Sequence, residues 1–211
     1  IATTNADPVT LSTDSFATTS YNFDNTGTVN RAIQNGKECV RSIPSNYLKS
    51  INTSLSSLFQ STFSIFQQIK LDDGQPAGLG YTFFIDNSST GRVFIDIRTD
   101  GKMTITYSAG GTSVFAQTLN SVFANGAFTD FVNLAVVVPS AGIIQIWIDE
   151  VQQTLGAGNL SGNMSGVTMT NFNSGAIKPI NLGLSASGWY RNLLVQPVAY
   201  TTQNITDLGT L

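Results

Sequence analysis

Histidine is absent from the 211 residues of this chain. That removes Ser-His-Asp triads, Cys-His pairs and His-ligated metal centres at once. Glutamate is nearly absent too, with only Glu38 and Glu150 present. The single cysteine, Cys39, cannot close a disulfide within the chain, so this is not a stapled mini-fold. Charged residues make up 11%, against about a quarter in ordinary soluble domains. Ten basic side chains face thirteen acidic ones, for a net charge of −3. There is no basic run, so no nucleic-acid partner is expected. The longest apolar runs, 134–138 and 143–148, are far too short to span a bilayer, so no membrane insertion is expected.

What is present is small and polar. Thr, Ser and Asn number 25, 22 and 18, together 65 of 211 residues, so hydroxyls and amides keep this surface wet in place of ions. Apolar residues still reach 41%, enough for a sizeable core in one domain. Residues 1–20 are rich in Thr, Ser, Ala and Asp. They read as an extended arm or linker ending in an edge strand near Phe16, with the domain proper at 21–211.

The body of the chain alternates. Phe63, Ile65, Gln67, Ile69 and Leu71 point one way, and Ser64, Phe66, Gln68 and Lys70 the other, which is the period of a half-buried strand. A second strand covers 81–85. Val93, Ile95 and Ile97 share a face, as do Met103, Ile105 and Tyr107. A three-residue loop, Thr99-Asp100-Gly101, pairs Ile97 with Met103, Ile95 with Ile105 and Val93 with Tyr107. It places Gly101 at the left-handed bulge position. Phe94 then lies on the opposite face beside Thr104 and Thr106, so that face is partly covered as well. Further strands are expected at 114–119, 131–138, 143–151, 179–184 and 189–197. The unbroken apolar runs fit strands covered on both sides. The one helical pattern is at 45–59, where Leu48, Ile51, Leu55, Leu58 and Phe59 fall near helical spacing. About a dozen short strands with regular turns give an all-β fold, a two-sheet antiparallel sandwich.

The order of these segments resembles the laminin-G-like modules of the concanavalin A-like lectin and glucanase superfamily, a jelly-roll sandwich. The likeness runs over Phe63-Ser64-Ile65-Phe66-Gln67-Gln68-Ile69-Lys70, the hairpin from Asp100-Gly101-Lys102-Met103 to Tyr107, the runs 130–138 and 143–151, and the close from Gly188-Trp189-Tyr190-Arg191 to Val195, with a short helix by Leu208. It departs at two places. Phe131-Val132-Asn133 stands where the family has Trp-His, and Asp149-Glu150 where it has Asp-Gly.

The resemblance implies what to look for. Glycosidases of the superfamily use paired glutamates on one strand, and retaining hydrolysis needs two carboxyls about 5 Å apart. No such pattern occurs here. Asp149 and Glu150 are neighbours that would face opposite sides of a strand. Asp96 stands alone, with Phe94 and Arg98 as same-face neighbours. No enzyme activity is therefore expected. Relatives hold calcium at the sandwich rim, and Asp72, Asp73 and Asp86 are the residues here that would do so; Asp and Asn are equally ordinary turn formers. Trp189 and Tyr190 are the aromatic candidates for stacking on a ligand, although one of two adjacent strand residues must face inward. Trp147 reads as core. Phe123, Phe128 and Phe131 read as a packed corner or an exposed apolar tip.

The expectation is a non-catalytic recognition or structural module, extracellular or on a virion surface. Its partner would be a surface glycan or a neighbouring structural protein, with homo-oligomerisation left open. The alternatives are a secreted carbohydrate-binding lectin domain and, behind it, a glycoside hydrolase.

Overall fold

The computed structural model describes residues 3–4, 9–11, 21–26, 30–44, 46–50, 62–86, 91–109, 112–140, 143–156, 181–182 and 185–210. Two antiparallel sheets face one another. The first runs, in spatial order, β1 (Thr3–Thr4), β4 (Asn30–Gln34), β5 (Lys37–Ser42), β16 (Gly188–Gln196), β7 (Phe63–Leu71), β12 (Val132–Ser140), β13 (Ile143–Ile148) and β14 (Val151–Gln152). The second runs β11 (Thr112–Gln117), β10 (Met103–Ala109), β9 (Gly91–Ile97), β8 (Gly80–Asp86), β15 (Asn181–Leu182), β6 (Tyr47–Ser50), β3 (Tyr21–Thr26) and β2 (Val9–Leu11). Within 1–20, then, Thr3–Thr4 and Val9–Leu11 each add an outermost strand to one sheet, while Phe16 lies outside the described residues.

The alternation in sequence becomes the core. Phe63, Ile65, Ile69 and Leu71 of β7 meet Phe83, Ile85, Val93, Ile95, Ile97, Met103 and Ile105 between the sheets. Phe66, on the other side of β7, belongs to a second cluster with Ala135, Val137, Trp147 and Leu194. That cluster is closed by Ile205 and Leu208 of the helix α1 (Thr202–Gly209). Thr201 caps the helix: its Oγ1 accepts from the Asn204 N–H, and the Asn204 Oδ1 accepts from the Thr201 N–H. The helix is why β7 and β12 are buried on both faces, where alternation alone predicted a half-buried β7.

The hairpin of β9 and β10 has the expected register: Ile97, Ile95 and Val93 oppose Met103, Ile105 and Tyr107. Gly101 has φ +74°. A Cβ there would run into the Phe123 carbonyl oxygen, because Val122 and Phe123 fold back to donate to the Gly101 oxygen. Phe123 is buried and its ring lies 5.2 Å from that of Phe128, so this is a packed corner and not a tip.

Two expectations are corrected. The helix at 45–59 does not form at its start, because Tyr47–Ser50 is strand β6. It is hydrogen-bonded to β3 on one side and β15 on the other, and that long-range pairing outweighs the local spacing of Leu48. Residues 51–61, with Ile51, Leu55, Leu58 and Phe59, lie outside the described residues. The single strand at 143–151 is in fact a hairpin. Asp149 and Glu150 both take positive φ, 45° and 68°, and Trp147 pairs with Gln152. Positive φ at both central residues is the primed two-residue turn that suits strand twist, so Asp-Glu adopts the bend an Asp-Gly would make more cheaply.

Candidate functional site

The one helix among the described residues covers the outer face of the first sheet, so we turn to the outer face of the second. Cross-strand register sets its rows. Gln117, Thr104, Asp96 and Tyr81 stand side by side on β11, β10, β9 and β8. The next row is Phe115, Thr106, Phe94 and Phe84. Three of these rings touch. Tyr81 meets Phe84 edge-on at 5.2 Å and Phe94 at 5.3 Å, and Phe84 stacks on Phe94 at 5.8 Å. All three are half-buried.

A β-bulge makes this arrangement. Between Tyr81 and Phe83 the pairing with β9 slips by one residue, so Tyr81 and Thr82 together oppose Asp96. Tyr81 turns out to the aromatic cluster, while Thr82 and Phe83 both turn inward, where each is fully buried. A bulge re-aims a side chain by giving one strand an extra residue, and here it aims Tyr81 at the face that carries Asp96.

Asp96 is 1% exposed, and its Oδ1 has no hydrogen-bond partner among the described residues. Burial raises its carboxyl pKa to about 7, against a smaller lowering by Arg98. Burial also raises the Tyr81 phenol, with the Asp96 charge adding to it. The face thus offers aromatic planes and the hydroxyls of Tyr81 and Thr106, with the Asp96 carboxyl and Thr104 buried beneath them. Among the described residues it holds no carboxylate pair at Asp96, whose neighbours in its row, along β9 and just past its end are Tyr81, Thr104, Phe94 and Arg98. Glu38 is exposed on β5 and Glu150 is exposed in the β13–β14 turn.

The residues singled out from sequence lie elsewhere. Tyr190 is core, 2% exposed, with its hydroxyl donating to the Ala186 carbonyl at 2.7 Å, so its ring is not available to a ligand. Trp189 is half-buried on the outer face of the first sheet, between Arg41 and Lys70 of the flanking strands. The Arg41 guanidinium sits 5.3 Å from its ring centroid. Arg41 also forms a two-point ion pair with Asp72. Asp73 Oδ1 accepts from the N–H groups of Gln75 and Gly126, which hold its pKa below the usual carboxylate range. Asp86 ends β8, whereas the loop bearing Asp72 and Asp73 leads into its start. At about 3.3 Å per residue, β8 carries the chain about 20 Å from Gly80 to Asp86. No group of three or more metal-ligating side chains occurs among the described residues.

Sequence reasoning set Asp96 aside because it had no partner carboxylate. The signal it carried was a lone acid on the outer face of an apolar strand, opposite Thr104. What could not be read was that a bulge in β8 brings Tyr81 beside it.

No protein-family model matches the chain, and no curated protein matches it. Solved structures do. Domain 4 of AbnA, an extracellular GH43 arabinanase from Geobacillus stearothermophilus solved with arabinotriose, superposes with a TM-score of 0.59 at 17% identity, over 87% of this chain and 82% of that one. The shared fold is an all-β jelly-roll sandwich. A heptameric SAP-like pentraxin from Limulus polyphemus gives a TM-score of 0.52 at 15% identity, covering 86% of this chain and 81% of that one. The receptor-binding domain of botulinum neurotoxin mosaic serotype C/D gives 0.62 at 11% identity. This jelly roll covers 90% of its own length and 46% of that domain, and so spans about half of the toxin domain.

Proposed function

We propose that this jelly roll is a non-catalytic recognition module, displayed outside a cell or on a virion, that binds a neutral saccharide across the outer face of β8–β11. One observation carries the reading: three half-buried rings, Tyr81, Phe84 and Phe94, gather on this outer face. Aromatic planes supply stacking surface for the apolar face of a sugar ring. Support also comes from the fold shared with an arabinanase domain solved with arabinotriose, and from a surface of hydroxyls and amides. Among the described residues no second carboxyl lies beside Asp96, which supports recognition over glycoside cleavage, a reaction that needs a pair.

The test is a glycan array bearing neutral and acidic oligosaccharides, probed with wild type, Tyr81→Ala and Phe94→Ala. The expected result is retention of one neutral class by wild type, weakened about tenfold or more in both variants while their folds persist. Retention that both variants leave intact, or none on any saccharide, overturns the reading.

A further inference from the structure

Gln67 sits on the inner face of β7, amid Ile65 and Ile69, and is 1% exposed. It faces the opposite sheet through the apolar core. Its Nε2 donates to Thr82 Oγ1 at 2.8 Å, and Thr82 Oγ1 in turn donates to the Ile95 carbonyl at 3.4 Å. Its own Oε1 finds no donor among the described residues. A buried amide half-satisfied in an apolar core weakens the fold relative to a hydrocarbon of the same shape. Packing therefore does not account for a glutamine here. Its one hydrogen bond goes to Thr82, the bulge residue that shares Asp96 as its partner on β9.

We infer that Gln67 is a positioning residue for the outer-face site, pinning Thr82 inward through the core so that Tyr81 is held outward against Phe94 and Asp96. The physical reason is the period of a strand. Side chains alternate faces, and a bulge that moves by one residue sends its neighbours to the wrong side. Two inward residues in succession, Thr82 and Phe83, put a hydroxyl in the core whose proton goes to the Ile95 carbonyl and whose oxygen still needs a donor. Gln67 supplies that donor from the other sheet, behind a face it never touches.

The inference rests on the outer face being the working site, but its test needs no ligand. The variants are Gln67→Leu, the double variant Gln67→Leu/Thr82→Val, and Thr82→Ser, which keeps the hydroxyl. The double variant replaces both partners with apolar groups of like size and so protects the fold. The readouts are NMR titration of the Asp96 carboxyl and the ring-current-shifted signals of Tyr81 and Phe94. Among the described residues, Arg92 on β9, Arg98 just past its end and Tyr81 on β8 are the charged or titratable groups around Asp96, Asp86 holds the register position opposite Arg92 at the far end of β8, and every variant leaves them in place. In Gln67→Leu and in the double variant, the Asp96 midpoint should fall by about one pH unit or more as water enters beside it, and the ring signals should move toward unshifted positions. Thr82→Ser should leave both where they are. An Asp96 midpoint and ring signals unchanged in the folded double variant overturn the inference. A wild type that retains no saccharide defeats the proposed function instead, and these titrations still decide the role of Gln67.

Discussion

Replacing Asp96 with asparagine tests the electrostatics of the outer face directly. Asp96 titrates near 7 in the folded chain against an ordinary 3.8. The folded state therefore holds its proton over a range where the unfolded chain has lost it. Stability then falls as pH rises, because the native state binds more protons than the unfolded state. The contribution is complete below the unfolded pKa and gone above the folded one. About three pH units of separation correspond to about 4 kcal/mol lost between pH 4 and 8. Asparagine carries no charge to bury, so Asp96→Asn should lack this slope. Near pH 4 it should match wild type or fall slightly below, since its amide must also find partners. Near pH 8 it should be more stable by roughly 2 kcal/mol or more. Urea unfolding across the pH range, wild type against variant, measures the difference between the two slopes. Parallel curves would refute the reasoning, because they would mean that Asp96 ionises in the folded state as freely as in water.

Other predictions follow from packing and backbone. Ile205→Ala should destabilise the fold by about 3 kcal/mol in urea unfolding, since Ile205 is 1% exposed between α1 and the first sheet. Glu150→Gly should raise the melting temperature, with a gain of about 1 kcal/mol, because Glu150 holds φ 68° in a tight turn where glycine pays no Cβ penalty. Cys39 should react with a thiol reagent far more slowly in the native chain than in denaturant, because it is buried and burial raises its pKa.

Much of the architecture was legible because a strand has a period of two. Phe63, Ile65, Ile69 and Leu71 announced their shared face, and Gly101 announced its turn. The loop length between Ile97 and Met103 followed from the need to keep apolar residues on one side. Asp149-Glu150 did not announce its turn, because glutamate at the second position is not a usual residue for positive φ, and the bend is imposed by the pairing of Ile148 with Val151. Tyr47–Ser50 misled for a related reason: its helical spacing is local, and its partners, β3 and β15, come from distant parts of the chain.

The sequence by itself determined the fold class, the inward residues of most strands, and what chemistry is excluded, since absent side chains cannot act whatever the fold. Only the tertiary structure decided which face is covered by α1, that Tyr190 is core while Trp189 meets Arg41, and that Asp96 lies buried beside Tyr81. The last of these depends on a one-residue slip in β8, and the others on which distant strands and helix pack together. Such contacts between distant residues leave no periodic trace in the chain.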